Sequence, residues 1–370
     1  MSRPAQQPAN PVLASFVIPT RNRAALLENT IASVLRQQEA GVEIEIIVVD
    51  NQSTDDTALR VARLAERADC PIRFASMAEN RGPARSRNYG ASLCRGEYIA
   101  FVDSDVELQE GWLSAVLAAF RANPGTGMVA GKVVFASEPD VVYCYGGELS
   151  RLGLGWDANQ GVPESTLGRS VFRLWAPSAS VAVLRSAFLE TGGFDEAFFY
   201  GYEDSDLGWR LNLAGWQCLI SPEPVAVHAT TDQIDDRVRK IGDQIVFHYS
   251  KNRLRSLIKN IGWGGFCLWV PAALAYSIVD SVLRAPRRSR MRALLWNLRM
   301  LPDTLRARAN TQRTRRAPDS RIRTLLSKSL FPPEPLQRRL HERRHLHGSR
   351  PDPLPEITGV SSGPARKVNP

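Results

Sequence analysis

The first 105 residues alternate apolar runs with amphipathic segments, and this alternation limits the fold more than any other feature of the chain. The runs VLASFVIPT, EIEIIVVD, PIRFAS and EYIAFV are predicted strands, and the segments between them have apolar residues at helical spacing. Strands that are apolar on both faces and alternate with helices form a parallel sheet covered on both sides. The sequence therefore predicts an α/β fold. The Gly-interrupted runs between residues 127 and 183 predict an antiparallel extension of the same sheet.

Polar side chains follow each predicted strand, at the edge where such sheets bind their ligands. The clusters are Pro19, Thr20, Arg21 and Asn22; then Asp50 and Asn51; then Asn80, Arg81 and Gly82; and finally Asp103, Ser104 and Asp105. Three of these clusters carry polar groups suited to a nucleotide, and the last carries two carboxylates.

The paired carboxylates Asp103 and Asp105 are candidate ligands of a divalent cation and of one edge of a ribose. Magnesium and manganese prefer hard oxygen ligands and usually share them with substrate phosphates. The alternative is that Asp105 caps a helix that begins near Gln109. His228 ends a later predicted strand, and its imidazole suits manganese, although a lone histidine is more often structural.

A second acidic cluster lies in the segment YEDSDLGWR, where a helix is predicted to begin near Glu203. A carboxylate there can take the proton from an acceptor hydroxyl. The alternative for Glu203 and Asp204 is that negative charge simply favours the first turn of a helix. Asp206 and Arg210 are spaced as an i,i+4 ion pair, and we expect them to be structural.

The cysteines indicate the cellular compartment, and the charge distribution indicates the kind of partner. The five cysteines are odd in number and form no CxxC pair, which favours a reducing compartment and argues against a zinc site. Residues 1–12 are polar and Pro-rich, with no apolar core of a secretory signal, and we predict that they form a disordered tail. The net charge of +9 is concentrated between Arg284 and Arg350, where 19 basic residues face 4 acidic ones. Such a basic stretch is expected to bind a polyanion, which means anionic lipid or nucleic acid.

Residues 260–279 carry no charge and are long enough to span a bilayer. Both flanks are basic, which opposes a single span, and Gly262, Gly264, Gly265 and Pro271 weaken a straight helix. We expect an interfacial or re-entrant segment; a true span and a buried core helix are the alternatives. Residues 233–330 are then a helical, basic, membrane-associating region, and a chain ending near residue 258 should keep a soluble catalytic domain. Residues 331–370 are predicted to be mostly disordered.

Five segments resemble, in family order, the inverting family 2 glycosyltransferases of GT-A fold. They are SFVIPTRNR, EIIVVDNQSTDDT, ENRGPARSRNYGASLCRGEYIAFVDSDVELQEGWL, GGFDEAFFYGYEDSDLGWRL and VHATT, within residues 13–232. The resemblance implies a nucleotide-diphospho-sugar transferase domain over residues 13–232, with a Rossmann-like, mostly parallel sheet; the membrane-associating helices expected from composition follow this domain. With Asn51, the segment VVDNQS resembles the rhamnosyltransferase-like branch of the family.

The resemblance also assigns roles. Asp204 resembles the catalytic base, and Glu203 and Trp175 would line the acceptor side. The donor-binding residues would be Pro19, Thr20, Arg21, Asn22, Asp50, Arg87, Asp103 and Ser104. Asp103, Asp105 and His228 would hold the divalent metal, Mn²⁺ or Mg²⁺.

The expected reaction is transfer of a sugar from a nucleotide-diphosphate donor to a hydroxyl of a lipid-linked saccharide or another cell-envelope glycan. The chain lacks the QxxRW motif of processive members, which favours addition of one or a few sugars. We expect a cytoplasmic protein, peripheral on the inner face of the cell membrane. One alternative is a sugar nucleotidyltransferase, although PTRNRAALL lacks the Gly-rich loop that such an enzyme needs. The other is a non-enzymatic polyanion binder acting through the basic tail; no nucleic acid is expected, because no recognition module is visible.

Overall fold

The computed structural model describes residues 12–39, 41–229 and 234–333, and its first half is a parallel sheet flanked by helices. The strands are β1 (Val12–Thr20), β2 (Val42–Asp50), β3 (Ile72–Ser76) and β4 (Tyr98–Val102), and the helices are α1 (Ala24–Leu35), α2 (Thr57–Ala65) and α3 (Gly82–Leu93). β1 pairs in parallel with both β2 and β4, and β2 pairs in parallel with β3. The predicted α/β alternation is confirmed.

The sheet continues into a mixed extension: most of its added pairings are antiparallel, as predicted, but β6 and β12 pair in parallel with each other. The added strands are β5 (Val106–Leu108), β6 (Thr126–Phe135), β7 (Val142–Cys144), β10 (Val171–Arg173), β11 (Ser180–Leu184) and β12 (Gln217–His228), with a separate hairpin of β8 (Gly147–Leu149) and β9 (Gly155–Asp157). The helices of this part are α4 (Trp112–Ala122), α5 (Arg185–Glu190) and α6 (Glu203–Leu213). β11 runs antiparallel between β4 and β6, and it joins the two halves of the sheet.

Alternate residues of β1 enter two separate cores, one on each face of the sheet. Phe16 and Ile18 belong to one buried cluster, with α1 and α4, whereas Val17 belongs to the other, with α3 and α6. This follows from the two-residue period of a strand. Because both faces are covered, the exposed polar loops are left at the end of the sheet, where the site lies.

In the described residues after the sheet, the chain forms α7 (Ile234–Asn260), α8 (Trp263–Leu283), α9 (Arg287–Arg299), α10 (Leu301–Arg313) and α11 (Asp319–Leu325). All of these helices except α10 contribute to a third hydrophobic core with α6, in which Trp209 and Leu213 pack with Leu254 and Leu257. One compact unit extends to residue 333. A chain ending near residue 258 would lack Ile261, Ala273, Ile322 and Leu326 of this core, so the expectation that it keeps a soluble catalytic domain stays a prediction.

The uncharged segment 260–279 forms most of α8, a 21-residue helix. Gly264, Gly265 and Pro271 lie inside the helix and do not end it, so the expected weakening did not break it. Among the described residues, α8 is the helix long and apolar enough to cross a membrane, judged by length and composition alone. The predicted disordered tails lie outside the described residues, apart from residue 12 and residues 331–333.

Candidate active site

A cleft of about 1030 Å³ opens over the carboxyl ends of β1, β2 and β4. It is lined by most of the predicted donor residues: Pro19, Thr20, Arg21, Asn22, Arg87, Asp103 and Ser104. Asp50 is the exception, because it is buried and does not line the cleft. Its carboxylate accepts the Ser53 N–H at 3.1 Å and 3.2 Å, and so holds the turn after β2. Its neighbour Asn51 lines the cleft in its place.

The loop after β1 is tied to the loop after β2 through Asn22. Its backbone has φ +50°, in the left-handed region that asparagine tolerates better than most residues. The Asn22 N–H donates to Ser53 Oγ at 2.9 Å, and Asn22 Oδ1 accepts the Thr54 N–H at 2.7 Å. The two loops therefore form one fixed wall of the cleft.

Asp103, Asp105 and His228 come together at the mouth of the sheet, with their ligand atoms within 4.8 Å of one another. The cause is strand pairing: β12 runs antiparallel to β5, and His228 pairs with Val106, the residue after Asp105. The Ala229 N–H also donates to the Asp105 carbonyl at 2.9 Å. Two carboxylates and an imidazole are a suitable ligand set for manganese or magnesium.

Asp105 does not cap a helix. The next helix, α4, begins at Trp112, and its N-terminal cap is Gly111. Asp105 is instead buried, 4.0 Å from His228 Nε2 and in an ion pair with Arg23. Sequence reasoning missed Arg23. Its position in the RNR stretch of the first loop was the available signal.

Arg87 connects the metal-type cluster to the acidic pair on α6. Its side chain is 5% exposed, with Nη2 2.7 Å from Asp103 Oδ1 and Nη1 3.3 Å from Glu203 Oε1. The same Nη1 lies 3.8 Å from Asp204 Oδ1. Burial opposes the positive charge, but Asp103, Asp204 and Glu203 together raise the pKa of Arg87. Arg87 is therefore a permanent cation that fixes three carboxylates around one point.

The acidic pair begins α6, as predicted, and follows Tyr202, whose left-handed φ of +71° turns the chain into the helix. Burial raises the pKa of Glu203 to about 7, with a further contribution from Asp204, and Arg87 opposes the shift. Burial also raises the pKa of Asp204, against Arg87 and Ser178. Asp204 accepts the Ser178 N–H at 3.1 Å and the Ser178 hydroxyl, so its carboxylate has a fixed orientation.

Asp206 has the structural role predicted for it. It is fully buried, and its carboxylate accepts from Arg210 Nε, Lys259 Nζ and Asn260 Nδ2, each at 2.8 Å. Arg210 comes from the same helix, whereas Lys259 and Asn260 come from the end of α7. The network thus joins α6 to α7 beneath the acidic pair.

The remaining lining of the cleft was only partly predicted. Trp175 lines the cleft, as predicted, and its Nε1 has no hydrogen-bond partner among the described residues. The lining residues that were not predicted include Tyr143, Trp156, Asp157, Tyr200, Tyr202, Gln244, Ile245, His248 and Tyr249. Burial, together with the charge of Asp204, raises the pKa of Asp157 to about 7. Asp157 ends a three-residue strand and Tyr249 lies on α7, so neither belongs to a motif that a sequence pattern reveals.

Residues 15–144 match the sequence model of the family described as glycosyl transferase family 2. The pre-mycofactocin glycosyltransferase of Mycobacterium tuberculosis is 32% identical over 232 residues, which are 61% of this chain and 44% of the relative. An uncharacterised protein of the same species is 30% identical over 302 residues, or 78% of this chain and 90% of that protein. The GalNAc(5)-diNAcBac-PP-undecaprenol β-1,3-glucosyltransferase of Campylobacter jejuni is 32% identical over 190 residues, or 51% and 56%. The chain spans about half the length of the functionally named relatives.

Two solved structures show the same fold. GalNAc-T7 with UDP, GalNAc and Mn²⁺ gives a TM-score of 0.56 at 14% identity, over 77% of this chain and 55% of that one. The mannosyltransferase PcManGT of Pyrobaculum calidifontis, with GDP-Man and Mn²⁺, gives a TM-score of 0.50 at 19% identity, over 88% and 90%. The fold is therefore of GT-A type. Together, the fold, the Asp-Asp-His cluster and the family match define the class: this chain belongs to glycosyltransferase family 2.

Proposed function

We propose that the protein is an inverting, metal-dependent and non-processive glycosyltransferase. It moves a sugar from a nucleotide-diphosphate donor to a hydroxyl of a lipid-linked saccharide or another cell-envelope glycan. One observation carries the proposal: a single buried guanidinium, that of Arg87, touches both Asp103 of the metal-type cluster and the acidic pair on α6. A donor's diphosphate and an acceptor's hydroxyl can therefore meet in one cleft.

The donor side is the wall formed by the loops after β1, β2 and β4. The fixed loop at Asn22 and the polar side chain of Asn51 are suited to the base and the ribose. A divalent cation, Mn²⁺ or Mg²⁺, held by Asp103, Asp105 and His228 would neutralise the diphosphate as it leaves. The solved structures of two fold neighbours contain Mn²⁺ together with UDP or GDP-Man, which supports this assignment. Asn51 also motivates the proposal that the chain belongs to the rhamnosyltransferase-like branch.

The acceptor side contains the proposed base. Asp204 can accept the proton of an acceptor hydroxyl as the oxygen attacks the anomeric carbon. Ser178 orients this carboxylate, and Arg87 favours its charged form. One base and no protein nucleophile imply a single displacement, and hence inversion of the anomeric configuration.

The acceptor is proposed to be a neutral sugar rather than a phosphate. Asp157, Glu203 and Asp204 all line this side of the cleft, and three carboxyl groups would repel an anionic acceptor. Tyr202 and Tyr249, whose ring centroids are 5.8 Å apart, line the same side and offer apolar faces to a sugar ring. The C. jejuni relative is named for transfer onto an undecaprenol-linked saccharide, which supports a lipid-linked acceptor here.

A cytoplasmic, peripheral location at the inner face of the membrane is part of the proposal. All five cysteines are free thiols, and four of them are buried, which suits a reducing compartment.

The transfer is tested with purified protein, Mn²⁺, a panel of nucleotide-sugars and saccharide acceptors, with the product anomer determined by NMR. Asp204→Asn should lower the transfer rate about 100-fold or more and leave donor affinity nearly unchanged. Asp69→Asn is the matched control, because Asp69 is exposed and does not line the cleft. A product with retained configuration, or a fully active Asp204→Asn variant, would show that the base is assigned wrongly.

A further inference from the structure

One face of α8 is apolar, uncharged and exposed. Its exposed positions are Trp263, Gly264, Cys267, Leu268, Pro271, Leu274, Ala275, Ile278, Val279, Val282 and Leu283. These positions recur every three or four residues, so they lie on one side of the helix. The exposure is large, at 61% for Leu268, 50% for Ile278 and 70% for Leu283. Only 17% of the most apolar window of α8 is buried, far less than a core helix of a soluble protein would show.

The opposite face of α8 is fastened to the protein by polar contacts. The Arg253 guanidinium, from α7, donates to the Ala273 carbonyl at 3.4 Å and to Ser277 Oγ, and it lies 5.0 Å from the Tyr276 ring. Asp280, near the end of α8, forms an ion pair with Arg290 of α9. Ala273 itself is completely buried in the core shared with α6 and α7.

These contacts argue against α8 crossing a bilayer. A span would surround α8 with hydrocarbon and pull it from α7, which would strand the buried charge of Arg253. A span would also carry the Asp280 carboxylate and its ion-pair partner Arg290 into the membrane. Charged side chains within the hydrocarbon layer are costly and need partners there. The helix can instead lie along a surface while its inner face keeps every contact described above.

The residues that follow α8 supply positive charge. Arg284, Arg287, Arg288, Arg292 and Arg299 are exposed, and the Arg284 side chain is 70% exposed. Between the arginines of α9, Leu295 and Leu298 are 60% and 70% exposed. An apolar face bordered by arginines matches the acyl and headgroup layers of an anionic membrane. A second copy of the chain would present the same arginines, so like charges would oppose that pairing.

We propose that α8 lies in the plane of an anionic membrane, with its outer face at the headgroup–acyl boundary and the arginines of residues 284–299 on the lipid phosphates. In this arrangement α8 holds the protein on one leaflet without crossing the bilayer. Membrane binding in this form does not depend on the transfer chemistry, and the two are tested separately.

Binding is measured by co-sedimentation of the full chain with vesicles. One set is phosphatidylcholine alone, and the other is phosphatidylcholine and phosphatidylglycerol in equal parts. We expect binding to the anionic set, weakened but not abolished by high salt. Changing Arg287 and Arg288 together to Gln should weaken partitioning about 30-fold, roughly fivefold for each lost charge. Leu274→Asn should weaken the salt-resistant part, while Leu59→Asn, at an equally exposed leucine on α2, should have no effect.

Depth is measured at Cys267, the one exposed cysteine of the five, with a polarity-sensitive maleimide fluorophore. The in-plane arrangement predicts a blue shift on anionic vesicles and quenching by lipids brominated near the headgroup, at a depth of roughly 5–10 Å. Stronger quenching by lipids brominated at the chain ends would establish a span and overturn the proposal. Loss of label accessibility that depends on protein concentration, with no response to vesicles, would assign the face to a second copy. No change under any of these conditions would equally refute membrane binding.

Discussion

Shortening the side chain of Leu257 tests whether the C-terminal helices belong to the catalytic unit. Leu257 of α7 is completely buried in the core that contains Trp209 and Leu213 of α6. Leu257→Ala removes buried methyl groups and leaves a cavity beneath the helix that carries Glu203 and Asp204. For leucines in such cores, the loss of unfolding free energy is about 3 to 5 kcal/mol. The loss would be small if α7 were an independent module.

The assay is urea unfolding followed by tryptophan fluorescence, in the absence of lipid. Leu268→Ala is the matched control, because it removes the same atoms from a leucine of α8 that is 61% exposed. The control should change the unfolding free energy by no more than about 0.5 kcal/mol. Similar, small losses for both variants would refute the inference that α6 and α7 share one core.

Two further predictions concern the cleft. Folding raises the pKa of Glu203 from 4.5 to about 7. Between these two pH values the folded wild type keeps a proton that the unfolded chain releases. The free energy of unfolding of the wild type therefore falls as the pH rises through this range. Glu203→Gln should therefore be more stable than wild type at pH 8, with a smaller difference at pH 4, as measured by thermal unfolding at each pH; a difference that does not change with pH would contradict this. Gly82 has φ +80°, and a Cβ there would lie 2.1 Å from the Phe199 carbonyl oxygen, whereas Gly125 has φ +87° with nothing within 4 Å. Gly82→Ala should thus cost more unfolding free energy than Gly125→Ala, which carries only the cost of a left-handed backbone, about 1 to 2 kcal/mol, and equal costs would argue against the close approach.

The part of the site that could be predicted from sequence lies at the ends of strands. Asp103 and Asp105 follow an apolar strand directly, and parallel strands bring their carboxyl ends to one edge. His228 is a candidate from its residue type and its place at a strand end, but only the resemblance linked it to the two carboxylates, since its approach to Asp105 depends on an antiparallel pairing of residues more than a hundred positions apart. The structure brings these three side chains together as expected.

The rest could not be predicted, because it depends on tertiary packing. Asp50 follows a strand just as Asp103 does, but its carboxylate turns to the Ser53 N–H and away from the cleft. Asp157 ends a strand of three residues, too short for a periodic signal. Tyr249 lies on α7 and lines the cleft. The composition of this part of the chain indicated a membrane-associating region and not a part of the site. The apolar residues of this region did not reveal which of its helices is buried. Burial against α6 and exposure on α8 require similar side chains.

The most direct test of the proposed function is the release of nucleoside diphosphate from a panel of nucleotide-sugars, measured with saturating acceptor. For wild type, we expect release with one or a few donors in the presence of Mn²⁺ and its loss in excess EDTA. Asp105→Asn should abolish this release because it removes a buried carboxylate of the cluster. Asp69→Asn, which removes an exposed carboxylate outside the cleft, should behave as wild type. Undiminished release in excess EDTA, or from the Asp105→Asn variant, would contradict metal-dependent glycosyl transfer in this cleft.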